Sequence, residues 1–158
     1  MSNIISAGTF GHPELCSKPC LFLHLCECPR ASACNYCHRE HVKPGRLSLH
    51  CRQDSKTLGE ADLIALALPH LRAKNLAGTE EVISLLEQHL ASLPQPARPD
   101  LAPKQIRTLN RQLKNLKFSQ LVYLCPCSQL THIQEAMSSL REQRAVEDLS
   151  MYEGYFSL

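Results

Sequence analysis

Seven of the nine cysteines fall between Cys16 and Cys51, in a stretch with almost no helical or strand periodicity. Five of the eight histidines (His12, His24, His38, His41 and His50) lie in or beside it. The same region carries Gly8, Gly11, Pro13, Pro19, Pro29, Pro44 and Gly45, which is turn chemistry throughout. Such a segment buries too little apolar surface to fold unaided, so a cross-link must hold it. The opening residues 1–6 lack a basic region followed by a long apolar core, so no secretory leader is expected. An odd number of cysteines also argues against full disulfide pairing. Metal ligation in a reducing, intracellular compartment is therefore the expectation, with cytoplasm, nucleus and mitochondrion not distinguished.

The rest of the composition excludes more than it assigns. With 44% hydrophobic and 20% charged residues, the 158-residue chain has the average of an ordinary water-soluble protein. A net charge of +2 is too small to carry meaning as a total. The longest apolar run, Leu63 to Leu71, is broken by Pro69 and followed by Arg72, short of the roughly 18 residues a membrane span needs.

The pattern predicts a mostly α chain: a small irregular zinc-finger module followed by a helical bundle or an array of helical hairpins. The expected divisions are a zinc-binding module over 1–54, a helical hairpin over 55–93, a proline-rich linker over 94–103, a basic helix with C-terminal helices over 104–145, and a docking tail over 146–158 with Tyr152, Tyr155 and Phe156. Thr57 and Glu60 have capping-box spacing ahead of Ala61, Leu63, Ile64, Leu66, Ala67 and Leu68, a helix that Pro69 should kink or end. Thr79 is placed to cap a second helix with the stripe Val82, Ile83, Leu86, Leu90 and Leu93. A third starts near Pro103 with Ile106, Leu109, Leu113 and Leu116 on one face. Residues 119–124 read as a short helix or strand, and Ser128 as the start of a last helix bearing Leu130, Ile133, Met137 and Leu140.

Within the cysteine-rich stretch, Cys20, Cys28, Cys34 and His38 are separated by seven, five and three residues. Three thiolates and an imidazole complete a tetrahedral Zn2+ shell, with sulfur at about 2.3 Å and nitrogen at about 2.0–2.1 Å. A full shell leaves no position for water, so this zinc is expected to be structural. The C-x7-C-x5-C-x3-H spacing resembles that of the Cys-Cys-Cys-His zinc-finger family, to which tristetraprolin-like and nuclear-export RNA binders belong. The resemblance implies single-stranded RNA as a partner and an aromatic two positions after the third cysteine, where Tyr36 stands, stacking on a base. Phe22 is a second candidate platform, and Arg39 a candidate phosphate contact. Simple packing around a metal core is the plainer role for both aromatics. Two features depart from the family pattern. No glycine lies between Cys28 and Cys34, and the Glu14-Leu15 pair precedes Cys16 rather than Cys20.

Cys16, Cys26, Cys37 and Cys51 are left over, with His41 and His50. They are either plain buried or free thiols, or donors to a second zinc drawn from Cys16, Cys37, His41 and Cys51. A four-cysteine site from Cys16, Cys20, Cys34 and Cys37 is a rival arrangement.

Farther along, Lys104, Arg107, Arg111 and Lys114 lie opposite the apolar stripe of the third helix, with Lys117 on its flank and no acid among them. Either this is a solvated face or it contacts phosphate. Cys125-Pro126-Cys127 is either a redox or metal pair or, more plainly, a helix-breaking turn with two small apolar residues. The segments Ala61 to Leu68 and Phe118 to Leu124 resemble, distantly, the heptatricopeptide and octotricopeptide repeats of organellar RNA-binding proteins. No nucleophile–base pair, glycine-rich phosphate loop or paired carboxylates occur, so no enzymatic activity is expected. The expected function is that of a zinc-binding, RNA-interacting subunit of a ribonucleoprotein such as a ribosome, with protein subunits as further partners. The alternative is a structural subunit of a protein assembly, in which zinc only stabilises the fold.

Overall fold

A computed structural model describes residues 5–16, 18–25, 27–41, 45–94 and 101–153. Cys26, most of the proline-rich linker, Tyr155, Phe156 and the side chain of Tyr152 lie outside the described residues. The chain is mostly α-helical: seven α-helices and no strand occur among the described residues. It divides into two compact units, one from Met1–Lys43 with Ser138–Leu158, the other Pro44–Met137.

The second unit is a helical bundle. Its first helix, α2 (Leu49–Thr57), starts where Ser48 Oγ accepts the Cys51 N–H at 3.2 Å. Thr57 does not cap the next helix as its spacing suggested; its hydroxyl donates back to Asp54 O at 2.8 Å, closing α2. Gly59 precedes α3 (Glu60–Ala73), whose first turn carries Glu60 and Asp62 at the positive end of the helix dipole. Pro69 neither ends nor replaces this helix. Leu68 and Leu71, on either side of it, are 6% and 1% exposed. Their burial holds the backbone helical despite the missing donor.

Asn75, at φ 46°, and Gly78, at φ 79°, turn the chain into α4 (Glu80–Ser92). Thr79 again uses its hydroxyl backwards, on Leu76 O at 2.6 Å, instead of capping α4. Val82 and Leu86 form the buried part of the α4 stripe, while Ile83, Leu90 and Leu93 are half-buried. Helix α5 (Pro103–Leu113) begins as its proline predicts, with Gln105 Oε1 accepting the Ala102 N–H at 3.0 Å. Helix α6 (Phe118–Leu124) follows, then a 3-10 turn (Pro126–Gln129) and α7 (Thr131–Glu153). The last helix starts three residues later than Ser128. It runs through 146–153, part of the stretch read as a docking tail.

Helix α3 packs against α4, α5 and α6, and α2 against α5. Helix α3, which meets three other helices, is the centre of this packing. Leu109, Leu113, Phe118, Leu121 and Ile133 are fully buried. Ser48 also ties α2 to α5: its N–H donates to Gln112 Oε1 at 2.8 Å, and Gln112 Nε2 donates to its Oγ at 3.2 Å. No helix among the described residues is long and apolar enough to cross a membrane.

Candidate metal centres

The first unit has little regular structure. It contains a 3-10 turn (Ala7–Thr9), the short helix α1 (Leu21–Leu25) and a second 3-10 turn (Ala31–Ala33). Backbone pairing places the ligands. Cys37 N donates to Lys18 O at 2.9 Å and Cys20 N donates to Cys37 O at 2.9 Å, so the strand-like pieces 18–20 and 37 run side by side. The N-terminal turn closes over the 34–38 loop. Gly8 N donates to Cys34 O at 3.0 Å, Ser6 Oγ to Tyr36 O at 2.6 Å, and His38 N to Thr9 Oγ1 at 2.9 Å. Only glycine fits position 8, because a Cβ there would stand 2.3 Å from Asn35 O. From the helical side of the same unit, Arg141 Nε donates to Leu15 O at 3.2 Å, and Gly11 N donates to Asp148 Oδ2 at 3.2 Å.

This framework brings two sets of four ligand atoms together, each within 4.8 Å: Cys20, Cys28, Cys34 and His38, and His12, Cys16, Cys37 and His41. A tetrahedral zinc with the bond lengths above has edges of about 3.8 Å between sulfurs and about 3.6 Å between sulfur and nitrogen. In the first set, Cys34 Sγ and Cys20 Sγ are 3.9 Å apart. In the second, Cys16 Sγ lies 3.4 Å from His12 Nδ1 and 3.8 Å from His41 Nε2, and Cys37 Sγ lies 3.5 Å from His12 Nδ1. The rings of His12 and His41 meet edge to face, with centroids 5.0 Å apart. Both sets are close enough to hold a metal ion.

Amide hydrogen bonds prepare the sulfurs for metal. Tyr36 N points at Cys34 Sγ and Arg39 N at Cys37 Sγ, each at 3.5 Å, and the Arg30 amide serves Cys28 in the same way. Donors aimed at sulfur favour the thiolate. The hydrogen bond from Cys16, stronger than the opposing effect of burial, brings the Cys37 thiol from 9.0 down to about 4; the Arg39 amide and the two imidazoles add to it. For Cys28 desolvation pushes upward, but the Arg30 amide, Cys34, His38 and Cys20 together bring it to about 7. The Tyr36 amide pulls Cys34 down, yet burial and the neighbouring thiols Cys28 and Cys20 leave it raised. Cys28 and Cys34 thus shift in opposite directions, as expected where thiols share a site.

The four-ligand set read from the spacing is the one that comes together, with Cys20 and not Cys16 as its first member. The second set differs from the one considered. His12 takes the place given to Cys51, which instead sits in α2, 1% exposed, in the bundle of the other unit. The four-cysteine alternative does not form, because Cys16 and Cys37 go to one set while Cys20 and Cys34 go to the other. His50 is exposed on α2.

Of the residues considered for RNA, Tyr36 is 49% and Phe22 56% exposed. Phe22 stands on α1 between Leu21, 74% exposed, and Leu23, 36% exposed. Arg39 is exposed with its amide committed to Cys37. On α5, Lys104, Arg107 and Arg111 are exposed, as is Lys114 at its end, and none of them forms an ion pair among the described residues. Lys117 is half-buried at the start of α6. No protein-family model, curated protein or solved structure matches the chain.

Proposed function

We propose that this chain is a zinc-binding, non-catalytic protein that contacts RNA as a subunit of a ribonucleoprotein assembly. The observation that carries the reading is the outer face of α5. Lys104, Arg107, Arg111 and Lys114 present four cations to solvent with no acid interleaved. A folded protein gains nothing from holding like charges on one face, whereas a polyphosphate backbone releases counterions on meeting them. Tyr36 and Phe22 supply exposed rings on segments bound to the metal shells, where unpaired bases can stack for about 1–3 kcal/mol each. Both Cys/His shells are closed by four protein donors, which suits zinc as a structural ion and leaves no position at either for substrate. Thiolate ligation suits a reducing, intracellular compartment.

A second reading has its own support. Leu21, Phe22 and Leu23 expose a short apolar run on α1 beside the metal shells, a surface better matched to protein than to phosphate. On that reading the chain is a structural subunit of a protein assembly, and zinc serves only the fold.

Fluorescence anisotropy with single-stranded RNA, measured across a salt series, separates the two. The expected outcome is binding whose logarithmic salt slope shrinks by about 1.4 when Arg107→Ala and Arg111→Ala remove two phosphate contacts. Adding Tyr36→Ala should weaken binding further at every salt concentration. Binding that survives all three substitutions unchanged, or a native complex that purifies without RNA, would favour the structural-subunit reading.

A further inference from the structure

A third group of ligand atoms converges in the other unit, Pro44–Met137. A Glu60 carboxylate oxygen, a His89 ring nitrogen and Cys127 Sγ all lie within 4.8 Å of one another. Glu60 opens α3, His89 lies in the last turn of α4, and Cys127 lies in the 3-10 turn after α6. Consecutive helices that pack together run antiparallel, so the start of α3 meets the end of α4. Helix α6 also packs on α3 and leads into the turn that carries the thiol.

A contact between two helix ends does not by itself explain this cluster. Glu60 Oε1 and His89 Nε2 are hydrogen-bonded at 3.2 Å, and the Glu60 carboxylate complements the dipole at the start of its helix. That explains two vertices. It gives no reason for the third to be a thiol only 3% exposed. Its neighbour Cys125 lies against Leu121 O at 3.5 Å and also hydrogen-bonds the Cys127 sulfur, which favours the Cys127 thiolate. Carboxylate oxygen, imidazole nitrogen and thiolate sulfur are all zinc donors, and the thiolate disfavours magnesium or calcium, which take oxygen.

We propose that Glu60, His89 and Cys127 bind a third zinc ion, with its fourth position taken by water or another exchangeable ligand. The Glu60 and His89 side chains are 32% and 20% exposed, so solvent reaches the cluster from their side. Three protein donors with one exchangeable position set this site apart from the two closed shells. The turn at Cys125-Pro126-Cys127, read more plainly from sequence as a helix break, thereby gains a chemical role for one of its thiols. The site is independent of any contact with RNA.

The test uses the full chain at equilibrium with micromolar free zinc, with metal per chain as the readout. Three ions are expected in the wild type, falling to two in Glu60→Gln and in His89→Ala with helix content by circular dichroism retained. In the cobalt-loaded chain, Cys127→Ser should remove the thiolate-to-metal absorption of one sulfur in six, while Cys125→Ser leaves it intact. Two ions in the wild type would overturn the proposal. So would a third ion that persists in both Glu60→Gln and His89→Ala, or one lost with Cys125 and kept without Cys127.

Discussion

Cys37 and His38 are adjacent in sequence and belong to different metal shells, the first to His12, Cys16 and His41, the second to Cys20, Cys28 and Cys34. Along the chain the donors run His12, Cys16, then Cys20, Cys28, Cys34, then Cys37, His38 and His41, so the two sets interleave. The peptide between Cys37 and His38 is held from both sides at once. A metal in either shell therefore fixes backbone that the other shell needs.

This interleaving predicts that the two metals are lost together. Structural zinc in small modules is worth roughly 10–16 kcal/mol of folding free energy, and here that energy has no packed core behind it. Substitution Cys37→Ser or Cys28→Ser should each lower the zinc content by two ions per chain, not one. Limited proteolysis should then cut the N-terminal unit rapidly in either variant. Loss of a single ion, with the other shell intact by cobalt absorption, would show that the shells fold separately.

A second prediction concerns the lid over the metal loop. At Gly8, an added Cβ would lie 2.3 Å from Asn35 O and 2.5 Å from Tyr36 C, which are backbone atoms that cannot rotate aside. Gly8→Ala should destabilise the N-terminal unit by about 1–3 kcal/mol through overpacking. A chelator competition should register this as faster zinc release. Gly59 provides the control, since a Cβ there meets nothing nearer than Asp62 Oδ2 at 3.7 Å. Gly59→Ala should leave zinc release at the wild-type rate.

What could be read from the sequence followed from local spacing. Cys20, Cys28, Cys34 and His38 declare themselves because three intervals match a known ligand pattern. Three donors of the second shell, Cys16, Cys37 and His41, were legible, and His12 was not. Cys37 and His41 have the i, i+4 spacing of a ligand pair, and His12 and Cys16 repeat it in the turn before, a signal that would have named the missing donor. Cys51 misled because its helix has no apolar period. Only Cys51 and Ser55 of α2 are buried, and what starts the helix is the Ser48 side chain. The cluster of Glu60, His89 and Cys127 leaves no local trace at all, since its members come from three elements joined only by packing around α3. Pro69 illustrates the same limit, with propensity overridden by the burial of Leu68 and Leu71.

The Ser48 cap yields a third prediction. Its hydroxyl accepts from Cys51 N and from Gln112 Nε2, joining the start of α2 to α5. Ser48→Ala should cost about 1 kcal/mol for the cap, within a range of roughly 0.5–2 kcal/mol. Urea unfolding of the helical unit should shift its midpoint accordingly at unchanged slope, while zinc content stays at the wild-type value. A change in zinc content without a change in the midpoint would contradict this division of labour.

Acidification should empty the two shells in a defined order. Both Cys28 and Cys37 ionise below the ordinary 9.0 in the folded chain, Cys28 at about 7 and Cys37 at about 4. A depressed thiol stabilises the fold fully above its unfolded value and loses that contribution as pH falls through its folded value. For Cys28 the window is from 9.0 down to about 7, and for Cys37 from 9.0 down to about 4. Zinc competes with the same protons. Below about pH 7, protonation of Cys28 lowers the affinity of its shell by about tenfold per pH unit, and Cys34, which is raised, adds to the loss. Cys37 itself contributes no such penalty until about pH 4, so in its shell only Cys16, which donates the hydrogen bond that lowers Cys37, must still give up a proton to the metal. Cadmium-113 spectra recorded between pH 7.5 and roughly 4.5 should therefore lose the three-sulfur resonance of Cys20, Cys28 and Cys34 before the two-sulfur resonance of Cys16 and Cys37. The reverse order would mean that histidine protonation, with two imidazoles in the Cys16 and Cys37 shell against one in the other, controls release instead.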